Sequence, residues 1–222
     1  MFQVAIDGPA GAGKSTIAKI LAEELGFIYV DTGAMYRAMA LSCLRNGIDV
    51  EDREAVVGHC KKRKVSLKYE HGEQQVLLDG ENVNAYIRTE EVSQATSAIS
   101  IYEGVREKLL SLQQQLGQEH NVVMDGRDIG TNVLKDAQVK IYLTASVQTR
   151  AKRRYEEFVK KGIECNLKEI EEDIKERDYR DMHREIAPLR QAKQAVYLDS
   201  SELSIEQVVE KIREMIEKRK NL

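Results

Sequence analysis

The residues with the most specific chemistry lie near the start of the chain, in a glycine-rich loop that ends in a lysine and two hydroxyl residues. The loop matches the pattern GxxxxGK[ST] in full and comprises Gly8, Pro9, Ala10, Gly11, Ala12, Gly13, Lys14, Ser15 and Thr16. Its glycines let backbone N–H groups surround phosphate oxygens, and the following helix adds its dipole. Lys14 is expected to reach the β- and γ-phosphates of ATP, and Ser15 to help hold Mg²⁺. We therefore predict that this whole loop binds a nucleoside triphosphate, most simply ATP.

The loop alone does not name a reaction, so the motifs of other nucleotide-binding classes matter. A GTPase also carries DxxG and NKxD, and neither pattern occurs in this sequence. An ABC-type ATPase carries a signature such as LSGGQ, whereas this chain contains no Gly-Gly pair. These absences favour phosphoryl transfer to a small acceptor, with a less typical ATPase as the alternative.

Phosphoryl transfer needs cations near the phosphates, and arginine suits this role because guanidinium binds phosphate through two hydrogen bonds. Two sets of arginines have helical spacing: Arg150, Arg153 and Arg154, and Arg177, Arg180 and Arg184. The short segment 160–166 would join the two helices. We predict a lid at about 150–167 that excludes water, with Arg153 on the ATP side. The alternative is a solvated surface on which Asp178, Asp181 and Glu185 make intrahelical ion pairs.

The elements that position these residues alternate along the chain. Apolar runs predict strands at 2–7, 27–31, 121–126, 139–145 and 195–200. Helical periodicity predicts helices at 14–26, 33–47, 90–116, 147–161, 167–186 and 203–219. This order predicts an α/β fold of the P-loop NTPase type, with a parallel five-stranded sheet and helices on both faces.

One region breaks this alternation. The runs at 64–70 and 74–80 alternate in polarity and are joined by "HGE", which predicts a β-hairpin. The segment "NVNAY" (82–86) is a candidate third strand. We therefore predict a small antiparallel lobe inserted at about 62–88.

Two further polar stretches follow predicted strands. These are "DTGAMYR" (31–37) and "DGRDIGT" (125–131). In an open parallel sheet, ligands bind beyond the carboxyl ends of the strands, where the glycine-rich loop also lies. We therefore expect the three loops to share one edge of the sheet.

At this point the sequence resembles the bacterial cytidylate kinase family. The resemblance rests on "IDGPAGAGKST", "DTGAMYR", "IRTEEVSQATSAIS" with "VREKLL", "DGRDIGT" and "IKERDYRDMHREIAPL", in this order. It extends over essentially the whole chain, including the inserted lobe. It implies transfer of the ATP γ-phosphate to CMP or dCMP with Mg²⁺, in a single domain (1–222) with a core, a lobe for the nucleoside monophosphate and a mobile lid.

The resemblance also implies roles for individual residues. Those that would face or hold the acceptor nucleotide are Thr32, Tyr36, Arg37, Ser97, Arg106, Arg127, Asp128, Arg177, Asp181 and Arg184. The residues expected to act in catalysis are Lys14, Arg127, Asp128, Arg177 and Arg184.

The chemistry of these side chains agrees with a cytosine base. Ser97 and Asp128 would accept from the exocyclic amine while Arg106 donates to the ring. Uracil reverses the donor at that edge and would leave buried groups mispaired. Asp181 would accept from a ribose hydroxyl, and Arg37 would grip the acceptor phosphate together with Arg127.

Several residues have a plainer interpretation. By spacing alone, Tyr36 fits a helix core equally well, and Arg106 fits an ordinary surface arginine. Asp125 ends an apolar strand and is a candidate for ordering Mg²⁺ through water. Asp7 is the other candidate for ordering Mg²⁺. Its alternative roles are to pair with Lys14 or to cap the loop.

Composition limits the other classes. A net charge of −3 does not suggest nucleic-acid binding, and Cys43, Cys60 and Cys165 form neither a disulfide framework nor a metal motif. The histidines, His59, His71, His120 and His183, have no ligand spacing. The sequence shows neither a secretory signal nor a long apolar run, so we expect a cytoplasmic monomer that binds neither membrane nor nucleic acid.

Two other functions stay open at this stage. One is a kinase for a different small acceptor, such as another nucleotide or shikimate. The other is a P-loop ATPase module that regulates a partner protein.

Overall fold

The protein is built on two β-sheets, seen in a computed structural model that describes residues 1–70 and 73–220. The strands are β1 (Gln3–Asp7), β2 (Ile28–Asp31), β3 (Val65–Glu70), β4 (Glu73–Leu78), β5 (Glu81–Asn82), β6 (Val122–Gly126), β7 (Val139–Thr144) and β8 (Val196–Asp199). The larger sheet has five strands in the order β2-β6-β1-β7-β8, and all of its neighbouring pairs are parallel. The predicted parallel five-stranded sheet is confirmed.

Helices connect these strands and flank the larger sheet. They are α1 (Lys14–Leu25), α2 (Thr32–Arg45), α3 (Arg53–Lys61), α4 (Glu90–Ile99), α5 (Glu103–Glu119), α6 (Val147–Lys160), α7 (Leu167–His183) and α8 (Ile205–Lys220). A short π-helical turn (Ile129–Val133) follows β6. Because the strands are parallel, each connection must cross from one end of the sheet to the other, and the helices make these crossings.

The alternation of side chains along the strands supplies both faces of the sheet with a core. In β1, Val4 and Ile6 pack in one cluster with α1 and α8, whereas Ala5 belongs to a second cluster with α5 and the π-helical turn. All three side chains are almost completely buried. Burial of such aliphatic side chains, at about 1.5–3 kcal/mol for each large one, holds the layers together. The carboxyl ends of the strands therefore sit on a rigid support.

The smaller sheet is antiparallel, with the order β3-β4-β5. Val76 and Leu78 are buried in the same cluster as α2, α4 and α5, so this sheet shares a core with the helices beside it. It also reaches the larger sheet, because the Tyr69 hydroxyl donates to the backbone carbonyl of Tyr29 at 3.0 Å. The small sheet thus supports the end of β2, where "DTGAMYR" begins.

The predicted hairpin is present, with β3 paired to β4. Its predicted turn includes His71 and Gly72, which lie outside the described residues. The third strand is shorter than expected: β5 ends at Asn82, where the predicted segment begins. Backbone hydrogen bonds from Tyr86 and Ile87 back to Val83 turn the chain instead.

The sequence analysis missed one helix and merged two others. Helix α3 was not predicted, although Asp52 is a recognisable start signal; its carboxylate accepts from the Ala55 N–H at 3.0 Å. The predicted helix at 90–116 is two helices, separated at Ser100–Tyr102. Helix α7 ends at His183, so Arg184 lies at its C-cap in extended conformation.

In the described part of the chain, no helix has both the length and the apolar character that crossing a bilayer requires.

Candidate active site

The glycine-rich loop has a backbone that other residues adopt poorly. Gly11 and Gly13 have φ angles of 73° and 85°, in the left-handed region that favours glycine. At Gly8 a β-carbon would lie 1.9 Å from the carbonyl oxygen of Leu143, so only glycine fits there. Helix α1 begins at Lys14, so the last three residues of the motif lie in the first turn of this helix. The loop and the helix N-terminus thus form a concave arrangement that suits phosphate.

Lys14 is buried in this arrangement without a carboxylate partner among the described residues. Its Nζ donates to the carbonyl of Pro9 at 2.7 Å. Burial, reinforced by the positive charge of Arg127, lowers the pKa of Lys14 to about 7. A phosphate beside Lys14 would stabilise the charged form of its side chain. This environment is therefore typical of a lysine that binds an anion.

Ser15 faces the end of β6. Its hydroxyl donates to Asp125 Oδ2 at 2.9 Å, and the Tyr29 hydroxyl donates to Asp125 Oδ1 at 2.9 Å. Burial and the nearby charge of Asp31 raise the pKa of Asp125 to about 6. A hydroxyl beside a buried carboxylate is a donor set that suits Mg²⁺, which commonly takes one or two carboxylates and completes its shell with water and phosphate.

Asp7 neither pairs with Lys14 nor caps the glycine-rich loop in the described structure. Its carboxylate accepts from the backbone N–H groups of Ile129 and Gly130, at 2.7 and 2.8 Å. It therefore caps the π-helical turn, while Lys14 Nζ donates to the Pro9 carbonyl and not to Asp7. Burial raises the pKa of Asp7 to about 6.

The loop after β6 carries a network of buried charges. Arg106 lies 2.6 Å from Asp128, on which Arg184 also converges at 3.4 Å. Arg127 Nε donates to Asp181 at 2.7 Å. Burial alone would raise the pKa of Asp181, but the charge and hydrogen bond of Arg127 together with the charges of Arg177 and Arg184 outweigh it, and the pKa is lowered. The tertiary fold thus joins residues from α5, from the loop after β6 and from the end of α7.

These residues line a cavity of about 210 Å³, which we call the smaller cavity. Its cationic lining residues are Lys14, Arg37, Arg88, Arg106, Arg127, Arg154, Arg177 and Arg184. Its anionic lining residues are Asp31, Asp125, Asp128 and Asp181. Eight cations against four carboxylates leave a surplus of positive charge at this site. Such a surplus favours an anionic ligand.

The pKa of two of these arginines is lowered. For Arg37, burial and then the positive charge of Arg88 lower the pKa to about 10. For Arg177, burial and then the positive charge of Arg127 lower the pKa to about 10. Arg37 donates a long hydrogen bond to the Ile87 carbonyl (3.4 Å), and Arg177 donates to the Ser93 hydroxyl (3.1 Å). Neither is ion-paired in the described chain, so both are available to an anion.

Thr32, Tyr36 and Ser97 also line the smaller cavity. The Thr32 hydroxyl donates to the Asp125 carbonyl at 2.7 Å, so it also joins α2 to β6. The Tyr36 ring lies under the guanidinium of Arg106, 5.5 Å from its centroid. Tyr36 and Arg106 therefore both line the cavity. Tyr36 also packs against the core cluster of α2, α4 and α5, as its alternative interpretation expected, whereas Arg106 is buried and is not a surface arginine.

A second cavity of about 1170 Å³, the larger cavity, lies between the glycine-rich loop and the pair of helices α6 and α7. Arg153 lines it and donates to the carbonyl of Ser200 at 2.8 Å. Arg154 lines both cavities and pairs with Glu90 at 2.7 Å. The two cavities also share Lys14 and Ser15, so they meet at the loop.

The three arginines of the first lid set, Arg150, Arg153 and Arg154, have different environments. Arg150 is buried, and its guanidinium lies 2.7 Å from Asp178 of the neighbouring helix. The intrahelical pairing considered for Asp178 and Asp181 is also not the main arrangement. Both aspartates have their short contacts with arginines of other elements, Arg150 and Arg127.

Sequence reasoning missed Arg88 and Asp31 as members of the site. Arg88 Nη2 donates to Asp31 at 2.6 Å, and Arg88 lines both cavities. Asp31 also caps α2 by accepting from the Ala34 N–H. Both residues lie in the quoted stretches "IRTEEV" and "DTGAMYR", so the signal was present but was not assigned to them.

Comparison with known proteins agrees with this geometry. The chain matches a family profile described as cytidylate kinase over residues 4–218. It is 52% identical to a cytidylate kinase of Lactobacillus gasseri over 219 residues, which cover 99% of this chain and 95% of that protein. It is 50% identical to one of Streptococcus pneumoniae over 219 residues, with 98% of each covered.

Among solved structures, a shikimate kinase from Bacteroides thetaiotaomicron aligns with a TM-score of 0.51 at 17% sequence identity. The alignment covers 97% of this chain and 98% of that one. At this identity the similarity concerns the fold alone, and it agrees with the predicted P-loop type of architecture.

Proposed function

The chain belongs to the cytidylate kinase family, and from this we propose that it transfers the γ-phosphate of ATP to CMP or dCMP, producing ADP and CDP or dCDP. The observation that carries the proposal is the positive surplus of the smaller cavity, directly beside the glycine-rich loop. Lys14, Arg37 and Arg154 line both cavities. A donor phosphate in one cavity and an acceptor phosphate in the other would therefore meet among these cations.

We propose that the residues of the loop, Gly8 to Thr16, bind the donor phosphates and that Arg153 contacts ATP from the lid side. In the reaction an oxygen of the acceptor phosphate attacks the γ-phosphorus. The bond from that phosphorus to the oxygen bridging it to the β-phosphate then breaks. Catalysis is mostly positioning and charge compensation, because the transferring group develops negative charge on its oxygens. Lys14, Arg127, Arg177 and Arg184 supply the compensating positive charge, and Asp128 orients the guanidinium of Arg184.

For Mg²⁺ we propose that Ser15 and Asp125 hold the ion, directly or through water. The 2.9 Å contact between the hydroxyl and the carboxylate supports this assignment, because both are oxygen donors that Mg²⁺ accepts. Tyr29 holds the second oxygen of Asp125 and so orients the carboxylate. When bound, Mg²⁺ neutralises charge between the β- and γ-phosphates.

For the acceptor base we propose that Asp128 and Ser97 accept from the exocyclic amine of cytosine, while Arg106 donates to the ring. Arg106 and Arg184 converge on Asp128, which orients its carboxylate as an acceptor. Uracil presents a carbonyl at the same position, and a carbonyl facing this carboxylate would be repelled. Thr32 and Tyr36 complete the lining of the acceptor pocket.

For the rest of the acceptor nucleotide we propose that Asp181 accepts from a ribose hydroxyl, while Arg37, Arg127 and Arg177 bind the phosphate. Arg37 and Arg177 support this assignment because they are half-buried cations whose polar contacts in the described residues are with a carbonyl and a hydroxyl and not with a carboxylate. Arg88 would join them by exchanging Asp31 for the acceptor phosphate.

At the level of the whole molecule we propose one domain, with the inserted lobe at about 62–88 binding the nucleoside monophosphate and the lid at about 150–167 closing over the phosphates. The lid proposal is supported by a small core that α6 and α7 share, built on Ala151, Ile170 and Ile174. We further propose that the enzyme is a cytoplasmic monomer that binds neither nucleic acid nor membrane.

The test is a coupled assay of ADP release with CMP, dCMP, UMP, AMP, shikimate and no acceptor. We expect strong stimulation by CMP and dCMP, weaker stimulation by UMP, and little ADP without an acceptor. No stimulation by CMP would overturn the proposal. Preferred turnover of shikimate would favour the other small-acceptor kinase, and equal turnover without any acceptor would favour a regulatory ATPase.

A further inference from the structure

Arg150 is a buried arginine to which the reaction described above assigns no role. Its side chain is 4% exposed, and all three of its nitrogen atoms make polar contacts. Nε donates to the carbonyl of Ala145 at 2.8 Å, and Nη2 lies 2.7 Å from Asp178 Oδ2. Nη1 donates to the carbonyl of Ala10 at 3.0 Å, inside the glycine-rich loop and 140 positions away in sequence.

We propose that Arg150 is a positioning residue for the donor phosphates, because it holds the peptide group between Ala10 and Gly11 in the orientation that phosphate binding requires. The inference rests on the proposed use of ATP as donor. In a trans peptide the C=O and the N–H point in opposite directions. A carbonyl of Ala10 held by Arg150 therefore directs the N–H of Gly11 away from Arg150.

The surroundings of Gly11 support this role. Gly11 lines both cavities together with Lys14, so its free side faces the site. Its N–H has no backbone or side-chain acceptor among the described residues. On the other side, a β-carbon at Gly11 would lie 3.4 Å from Cβ of Arg150. Arg150 thus contacts the carbonyl side of the peptide group between Ala10 and Gly11, and the unpaired N–H of Gly11 lies on the ligand side.

Asp178 explains why an arginine is needed. Its Oδ2 is 2.7 Å from Arg150 Nη2, while its Oδ1 is buried and has no hydrogen-bond partner in the described structure. Asp178 therefore fixes one arm of the guanidinium fork, and the other arm reaches Ala10. A lysine has one nitrogen and cannot bridge both groups in this planar geometry.

The experiment compares binding of ADP, adenosine and CMP to the full chain. Arg150→Met alone would leave Asp178 buried without a partner and would threaten folding. The main variant is therefore Arg150→Met combined with Asp178→Leu, which removes both charges. Arg150→Lys is the conservative variant. Arg213→Met, an exposed arginine on α8 that pairs with Glu210, is the control for removal of an ion pair.

For the double variant we expect ADP affinity to fall about tenfold or more, in line with loss of ordered phosphate contacts. Affinity for adenosine and for CMP should stay within about twofold, and KM for ATP should rise while KM for CMP does not. Arg150→Lys should recover part of the ADP affinity.

Unchanged ADP affinity in a folded double variant would overturn the proposal, as would equal losses for ADP and adenosine. Failure of the unaltered protein to bind ADP would instead reject ATP as the donor, which is a failure of the proposed function and not of this inference.

Discussion

The two halves of the site are built by different means. On the proposed donor side the phosphate-binding groups are mostly backbone N–H groups of one continuous stretch, from Gly8 to Thr16. On the proposed acceptor side they are side chains from α2, α4, α5, the loop after β6 and the end of α7. A continuous loop presents its groups through local backbone conformation. A pocket of side chains exists only after distant elements have packed, so single substitutions should affect the two halves differently.

The largest effect is expected at Arg184. Arg184→Ala should lower kcat by about 10³-fold, because in the proposed mechanism the side chain faces charge that develops in the transition state. Asp128 keeps Arg106 as a partner at 2.6 Å, so the fold should survive. Steady-state kinetics with ATP and CMP provide the measurement, and circular dichroism checks the fold. An unchanged kcat with a modest rise in KM would move Arg184 to a binding role.

A smaller effect is expected at Asp128, on specificity more than on rate. Asp128→Ala should narrow the preference for CMP over UMP by about 10- to 100-fold, because the proposed acceptor for the cytosine amine is lost. The measurement is kcat/KM for both acceptors. A preference that stays intact would show that another group reads the base.

On the donor side we expect the uptake of a proton by Lys14 when ATP binds. Lys14 has a folded-state pKa lowered to about 7 from 10.5, so at pH 8 it is largely neutral before ATP binds. Phosphates favour its charged form, and ATP binding at pH 8 should take up nearly one proton. Calorimetry in buffers with different heats of ionisation measures this uptake. Lys14→Met should abolish it, and proton release by the unaltered protein would contradict the assignment.

The same lysine makes a prediction about stability. Between pH 7 and 10.5 the unfolded chain binds more protons at Lys14 than the folded chain does. The contribution of Lys14 to the free energy of unfolding should therefore rise with pH across this window. Chemical denaturation at pH 7 and pH 9 measures it, with Lys14→Met as the reference in which the rise is smaller.

The smallest effect on the reaction is expected at Asp7, which belongs to neither half. Asp7→Asn should leave kcat within about twofold, since Asp7 only caps the π-helical turn.

The substitution should instead change the pH dependence of the free energy of unfolding. The folded pKa of about 6 lies above the ordinary 3.8, so the stability contributed by protonated Asp7 is present below pH 3.8 and is lost as pH rises through 6.

Denaturation between pH 4 and 7 tests this, and the variant should lose less stability over that range. An identical pH dependence in both proteins would mean that the Asp7 pKa is not raised. A large loss of kcat would mean that the turn capped by Asp7 positions the acceptor residues more directly than its contacts indicate.

The sequence analysis succeeded where structure follows from short-range patterns. Apolar runs and helical periodicity were enough for the five strands and most helices, because burial in a parallel sheet demands continuous apolar segments. It failed at α3 and at the break between α4 and α5, where short elements depend on caps and packing. It also did not anticipate that Asp178 pairs with Arg150 of the neighbouring helix, because spacing says nothing about which neighbouring element offers a partner.

The sequence by itself determined the donor loop, since nine consecutive residues carry both the glycines and the cation that phosphate needs. It also determined the family, because the quoted stretches occur in a specific order. Only the tertiary structure decided which arginines are available to a ligand. Arg37 and Arg177 are left without ion-pair partners in the described residues, whereas Arg150 is held by Asp178 and by Ala10. All are arginines in polar stretches, and their roles differ because folding determines which carboxylates and carbonyls reach each one.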